Sequence, residues 1–160
     1  MKKIWIFIVL FFISTQLIGQ DKSELNEIII SSINTYISWN NDLVKKGNSL
    51  MDTTNYYICM DGLPSNFPYD NIKKVTFFSL NNINGLPYSF KVKLKKGIKV
   101  LFVDMNLSAN RLVINVLGRG VNYIKKNNIN MLIGDRGIFT YEYSCDKLKW
   151  ELIETKLEGI

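Results

Sequence analysis

The sequence predicts an α+β fold in which one long N-terminal helix packs on an antiparallel, curved sheet of about six strands. Three observations predict it. A helical stripe of apolar residues follows the opening hydrophobic segment. Later segments alternate between apolar and polar side chains, as half-buried strands do. Stretches rich in asparagine and glycine separate those segments, and such residues are typical of turns.

The first residues have the layout of a secretory signal peptide. Lys2 and Lys3 give a positive start, an unbroken apolar run covers residues 4–13, and polar residues follow before Gly19. The apolar run is shorter than the roughly 20 residues that a membrane-spanning helix needs. A permanent membrane anchor is therefore the less favoured interpretation.

We expect cleavage near Gly19 and Gln20. Residues 1–19 would be removed as the signal peptide, and residues 20–160 would form a single α+β domain. The product would be periplasmic or secreted, with no stable membrane span after cleavage. Loss of the two lysines lowers the formal net charge from +6 to +4, because all acidic residues lie beyond the signal peptide.

A helix is predicted to begin at Asp21. Asp21 and Glu24 have the spacing of a capping box, and residues 45–47, Lys-Lys-Gly, supply the basic last turn and the glycine with which helices end. Between these ends, apolar residues recur at helical spacing and form one stripe: Leu25, Ile29, Ile33, Tyr36 and Leu43.

Residues 89–104, "SFKVKLKKGIKVLFVD", predict two strands. Phe90, Val92 and Leu94 point one way and the intervening lysines the other, as in a strand. The stretch "LKKGIK" is predicted to be the turn between the two strands.

The clearest hairpin is predicted at residues 138–154, "IFTYEYSCDKLKWELIE". Its aromatic residues alternate onto one face, which we expect to pack on the helix stripe. Trp150 is predicted to be a core anchor of that face. A carbohydrate-stacking platform is the alternative interpretation of the same aromatic row.

The chain contains two cysteines, Cys59 and Cys145. In an oxidising compartment a distant pair of thiols can form a disulfide, and closing a loop of this length would contribute about 4 kcal/mol. Two buried free thiols, which behave as small apolar side chains, are the alternative.

The composition excludes several classes of site. The chain has no histidine, which excludes Ser-His-Asp and Cys-His nucleophilic sites and the commonest zinc sites. No glycine-rich phosphate loop is present. We therefore assign no catalytic, cofactor-binding or metal-binding residue, expect no cofactor, and favour a protein that is not an enzyme.

Paired carboxylates remain available for glycoside hydrolysis. The candidates in the strand region are Asp104, Asp135, Glu142 and Glu151. Glu142 and Glu151 lie on the polar side of the predicted hairpin and are interpreted as surface residues. Asp135, in "GDRG", is interpreted as a turn residue.

A row of lysines is the strongest charge feature of the sequence: Lys91, Lys93, Lys95, Lys96 and Lys99. It is interpreted first as a solvated strand face that discourages edge-to-edge pairing. The alternative is a patch that binds an anionic ligand. Nucleic acid is disfavoured as a partner, because aromatic residues do not share the lysine face.

Three segments carry a resemblance to known proteins: "KLKKGIKVLFVD", "FTYEYSCDKLKWEL" and the terminal "EGI". Over residues 90–160 the chain resembles uncharacterised small secreted proteins of Bacteroidota. That resemblance implies export and no particular activity.

The sequence favours a non-enzymatic secreted or periplasmic module that binds another macromolecule. The partner could be another envelope protein or an anionic glycan. A small carboxylate-dependent hydrolase is the first alternative. An inhibitor or immunity-type protein is the second, by analogy of fold alone.

Overall fold

The computed structural model describes residues 2–47, 55–125 and 128–159, and the side chains of residues 2–22 and 125 lie outside that description. These described residues form two helices and seven strands, with three short 3-10 helices between β1 and α2. The elements are α1 (Lys2–Lys45), β1 (Tyr56–Cys59), β2 (Val75–Phe78), α2 (Tyr88–Lys96), β3 (Ile98–Ser108), β4 (Arg111–Lys125), β5 (Asn128–Leu132), β6 (Arg136–Ser144) and β7 (Lys149–Glu158).

The seven strands form one mixed sheet in the order β2-β1-β3-β4-β6-β7, with β5 paired to β4 beside β6. β1 is parallel to both β2 and β3, and the other pairs are antiparallel. The α+β class is confirmed, but the purely antiparallel sheet was wrong. Crossover connections from β1 to β2 and from β2 through α2 to β3 return the chain in the same direction, which makes these pairs parallel.

α1 covers one face of the sheet and encloses the larger core. Its stripe residues Ile29, Ile33 and Tyr36 are completely buried and pack with Ile114 of β4 and Phe139 of β6. The predicted apolar stripe is therefore confirmed at these positions. Burial of side chains of this size supplies the main favourable free energy that holds α1 on the sheet.

The predicted helix start at Asp21 was wrong, because the helical backbone is continuous from Lys2. Residues 2–19 of the predicted signal peptide, residues 1–19, lie within this helix, and their side chains are outside the described part of the chain. Glu24 has a different role from a cap residue. Its carboxylate accepts a hydrogen bond of 2.8 Å from the backbone N–H of Trp150, which ties α1 to β7.

The segment from Phe90 to Leu94, predicted as a strand, and the first residues of the predicted turn "LKKGIK" form helix α2 instead. Pro87 precedes its first turn. Gly97, with a φ of +89°, ends the helix by donating its N–H to the carbonyl of Leu94. Phe90 and Leu94 are four positions apart, a spacing that fits a strand period as well as a helix period. The alternation therefore could not distinguish a strand from a helix. The proline before the segment and the glycine after it were the better indication of a helix.

α2 lies on the face of the sheet opposite α1 and covers a second, smaller core. The buried residues there are Cys59, Phe78, Leu94, Val100 and Val121. α2 covers this face near β1, β3 and the end of β4, so the sheet has a helix on each face only at that end.

The predicted hairpin is present as β6 and β7. Trp150 packs on the main core, and its ring contacts that of Tyr143 at 5.4 Å between centroids. Leu152 lies opposite Tyr141 and is half exposed. A register shift then adds one residue to β7, so that Leu157 takes an inner position.

Candidate functional site

A buried ion pair joins the sheet to the loop that precedes β6. The ammonium of Lys99 on β3 lies 2.6 Å from a carboxylate oxygen of Asp135, and the two side chains are only 14% and 13% exposed. Removing two charges from water is costly, and a pair of this kind is tolerated where hydrogen bonds satisfy its other polar atoms. The neighbours of the pair therefore decide its role.

Two α1 side chains satisfy the ion pair. Tyr36 donates its hydroxyl to Asp135 Oδ1 at 2.7 Å, and Lys99 Nζ donates to Asn40 Oδ1 at 2.7 Å. The Lys99 ammonium also lies 5.7 Å from the centre of the Tyr36 ring, within reach of a cation–π interaction. We call Lys99, Asp135, Tyr36 and Asn40 the buried polar cluster.

The cluster continues into β1 through Asn40. Its Nδ2 donates to the hydroxyl of Tyr56 at 2.8 Å, and that hydroxyl donates to Asn41 Oδ1 at 2.8 Å. One chain of hydrogen bonds thus connects α1, β1, β3 and the loop before β6. Networks of this kind stabilise a single arrangement of the elements that they join.

Tyr36 acts as a neutral donor. Burial, and then the hydrogen bond and negative charge of Asp135, raise the pKa of Tyr36 far above its usual value. The hydroxyl therefore keeps its proton at every physiological pH. This suits a fixed hydrogen bond and excludes Tyr36 as a general base.

Asp135 reaches the cluster because of a β-bulge between β5 and β6. Residues 133–135 lie opposite only two residues of β4, Gly118 and Arg119. The segment between β5 and β6 therefore contains one residue more than the part of β4 that faces it. The backbone N–H of Gly118 donates to the carbonyl of Asp135 at 2.9 Å. A bulge of this type redirects side chains, here sending Asp135 toward α1 and leaving Ile133 84% exposed.

Gly118 provides the space that the cluster occupies. A Cβ at this position would lie 2.2 Å from both Asp135 Oδ1 and the Tyr36 hydroxyl. Neither of those atoms belongs to a flexible chain end, since both are held by the cluster. The absence of a side chain at Gly118 is therefore a requirement of the buried ion pair.

Of the four candidate carboxylates, only Glu142 and Glu151 lie next to each other. Asp135 is engaged by Lys99 and Tyr36, and Asp104 is exposed on β3 opposite Asn115. Glu142 and Glu151 are cross-strand neighbours in the hairpin, where they accept hydrogen bonds from Asn110 and Lys147. The buried polar cluster thus contains one described carboxylate, whereas glycoside hydrolysis uses two that flank the substrate.

The lysine row is divided between two faces of the sheet. Lys91, Lys93, Lys95 and Lys96 lie on α2, where Lys91 donates to the carbonyl of Asn84 and Lys93 to the Tyr57 hydroxyl. Lys99 belongs to the buried polar cluster on the opposite face. The five lysines therefore do not form one surface patch.

The disulfide between Cys59 and Cys145 is not formed, and both thiols are free. The residue before Cys59 pairs with Leu101 near the start of β3, whereas Cys145 follows β6 beyond the far end of β3, at the level of Asn110. At about 3.3 Å per residue, these levels differ by at least roughly 20 Å along the strands, too far for a bridge.

Cys59 instead belongs to a hydrogen-bonded loop site around Asp61. The Asp61 carboxylate accepts bonds from the Ser79 hydroxyl, the Leu80 and Asn81 N–H groups and the Cys59 thiol. Partial burial acts to raise the pKa of Asp61, but these hydrogen bonds outweigh it and lower the pKa overall. Burial raises the pKa of the Cys59 thiol, which therefore lacks the thiolate character of a nucleophile.

An apolar surface surrounds β5. Its side chains are exposed to different degrees: Ile133 by 84%, Leu132 by 68%, Ile124 by 49% and Met131 by 44%. β5 pairs with β4 on one side, and no other described strand pairs with it. We call these four side chains and the unpaired backbone of β5 the β5 edge.

A cavity of about 310 Å³ lies where β5, β6 and the end of β7 meet. We call it the notch. Arg119, Arg136, Asp135, Glu158 and Ile133 are among the residues that line it. Arg136 is paired with Glu158 at 2.5 Å, whereas the side chain of Arg119 makes no hydrogen bond or ion pair with another described residue.

Sequence reasoning identified Lys99 and Asp135 singly but missed their pairing. Asn40 carried no signal of its own. The β5 edge was also missed, although the run Met131-Leu132-Ile133 before "GDRG" is an apolar stretch that ends at a turn. Within the described residues, no group of potential metal ligands and no helix suited to spanning a membrane is found.

Comparisons with protein-family models, with curated proteins and with solved structures find no match to this chain. The resemblance to small secreted proteins of Bacteroidota therefore stays a prediction, and function rests on the geometry of the chain itself.

Replacing Gly118 by alanine should destabilise the protein. The new methyl group would displace Asp135 or Tyr36, and the Lys99 ammonium would then lack part of its hydrogen-bond and ion-pair partners. We therefore expect the free energy of unfolding to fall by about 3 kcal/mol or more.

Gly120→Ala is the matched control, because Gly120 lies two residues further along the same face of β4 and a Cβ there would lie 3.4 Å from Leu132, in ordinary contact. We expect a change within about 0.5 kcal/mol for the control. Urea denaturation followed by circular dichroism measures both. Equal stability of the two variants would contradict the assigned role of Gly118.

Proposed function

We propose that this protein is a binding module that holds an extended segment of a partner protein along the β5 edge. The observation that carries the proposal is that one edge of β5 is unpaired among the described residues and lies beside Ile133, the most exposed apolar side chain in the described part of the chain, and its neighbour Leu132. Exposed apolar surface is costly to maintain, and natural proteins cover or charge their free edges unless those edges bind something.

Strand addition fits both features of the edge. The free N–H and C=O groups of β5 would form main-chain hydrogen bonds with the added strand, which provide affinity. Leu132 lies opposite Gly120 on the α1 face, and Met131 lies opposite Val121 on the α2 face. A partner segment with apolar side chains on both of its faces would therefore bury both residues.

A partner protein fits the edge better than a second copy of the chain. If two copies of β5 paired antiparallel about Asn130, each Leu132 would face an Asn128, and each Ile133 would lie beyond the paired residues. The most exposed side chains would then gain little apolar contact. A different segment, with apolar residues opposite Leu132 and Ile133, removes more apolar surface from water.

A protein partner also fits better than an anionic glycan or an enzyme substrate. The lysines that suggested an anionic ligand are split between α2 and the buried polar cluster. Of the carboxylates that suggested a hydrolase, Glu142 and Glu151 are neighbours on the β6–β7 hairpin, where Asn110 and Lys147 donate hydrogen bonds to them, and the cluster holds Asp135. The β5 edge is neither basic nor built around reactive groups.

We further propose that the module works outside the cytoplasm after removal of residues 1–19. Glu24, Leu25 and Ile29, which contact the rest of the chain, lie beyond the proposed cleavage point. These contacts would remain in the processed product, which we expect to fold without the leader. Deletion of residues 1–19 should leave the melting temperature within a few degrees of that of the full chain.

Intact-mass measurement of the protein from fractionated cells tests the processing step. A periplasmic or secreted product that begins near Gln20 is expected. A product that keeps Met1 in the membrane pellet, or a deletion variant that fails to fold, would contradict the proposal.

The binding proposal predicts that crosslinks depend on position. A photo-crosslinking residue at Ile133 should form an adduct with one other protein in the native envelope. The same residue at Leu148, which is 73% exposed but lies in the β6–β7 turn, is the matched control and should not. The purified captured protein should then slow amide hydrogen exchange in residues 128–132.

Leu132→Lys should abolish this protection, whereas Leu148→Lys should leave it unchanged, because only the first substitution places a charge in the added strand's contact surface. Adducts formed only between copies of this chain would contradict a heterologous partner. Adducts with unaltered exchange in β5 would contradict strand addition.

A further inference from the structure

The space beside β5 is limited at one end by the chain itself. β5 and β6 lie end to end along the same side of β4. β7 pairs with β6 as far as Glu158, which lies opposite Arg136. On the side away from β4, β6 is therefore covered by β7. No described strand covers the corresponding side of β5. A strand added beside β5 has room for about five residues before it meets the end of β7, at the notch.

The notch has one cationic group that is not neutralised. Asp135 is paired with Lys99, and Glu158 with Arg136. Arg119 also lines the notch, and its side chain makes no hydrogen bond or ion pair with another described residue. An unpaired arginine next to a cavity favours an anionic group, and a carboxylate fits its planar set of donors best.

We propose that the β5 edge binds the C-terminal segment of its partner protein, running parallel to β5, with the terminal carboxylate in the notch against Arg119. This inference rests on the proposed strand addition. It follows from two constraints, because the end of β7 requires the added strand to stop or turn at the notch, and Arg119 favours negative charge there.

The charge also sets the direction of the added strand. β5 runs toward the notch, so a parallel strand places its carboxyl end beside Arg119. An antiparallel strand that ended there would place its terminal ammonium beside a guanidinium, and like charges at short range repel. A parallel neighbour is compatible with this sheet, in which β1 already has two parallel neighbours.

Peptide binding tests the inference directly. Two pools of fluorescein-labelled hexapeptides, with Val, Ile, Leu or Thr at each position, would differ only in a free or an amidated C-terminus. We expect the full chain to bind the free-acid pool at least about tenfold more tightly by fluorescence anisotropy, because the amide cannot form a charge-assisted pair.

Arg119→Gln should remove the difference between the pools while keeping the binding of the amidated pool. Arg111→Gln, at the opposite end of the same strand, is the matched control and should keep the difference. Leu132→Lys should weaken both pools, because it alters the edge and not the notch.

Each outcome separates the two proposals. Equal binding of both pools, with protection of β5 amides from exchange, overturns the role of the notch and leaves strand addition in place. Loss of the difference in Arg111→Gln as well as in Arg119→Gln also overturns it. Failure of both pools to bind and to protect β5 contradicts strand addition and the inference together.

Discussion

The buried ion pair between Lys99 and Asp135 is the interaction on which the other features depend. Its charges would be strongly unfavourable between a helix and a sheet without Tyr36 and Asn40 of α1, which satisfy them. Apolar residues in place of the pair could give equal stability. The role of the pair is therefore to fix the positions of the elements that it joins. It fixes the rotation of α1 and the path of the chain before β6 at the same time.

The bulge that delivers Asp135 to the cluster also shapes the proposed binding surface. One extra residue at 133–135 separates β5 from β6, turns Ile133 outward and places the notch at the end of β7. The bulge that brings Asp135 to the inner face of the sheet thus also separates β6 from β5, and the outer edge of β5 has no described partner strand. In this account, the site for a partner is a consequence of how the core polar groups are satisfied.

Sequence patterns predicted the elements whose periodicity is unambiguous, such as the α1 stripe and the β6–β7 hairpin. α2 was not predicted, because Phe90 and Leu94 fit both periods over so short a segment. The pairing of Lys99 with Asp135 depends on a register and a bulge between distant strands, and neither leaves a local signal. The β5 edge was missed for the same reason, since the exposure of Leu132 depends on where β7 ends.

A double-mutant cycle on the ion pair tests the central claim most directly. Lys99→Met and Asp135→Asn should each cost about 3–5 kcal/mol of unfolding free energy, because each leaves a buried partner unsatisfied. If Lys99 and Asp135 act as one pair, the double variant should lose at least about 2 kcal/mol less unfolding free energy than the sum of the two single losses. Additive costs within about 0.5 kcal/mol would show that the two groups act independently and would contradict the account.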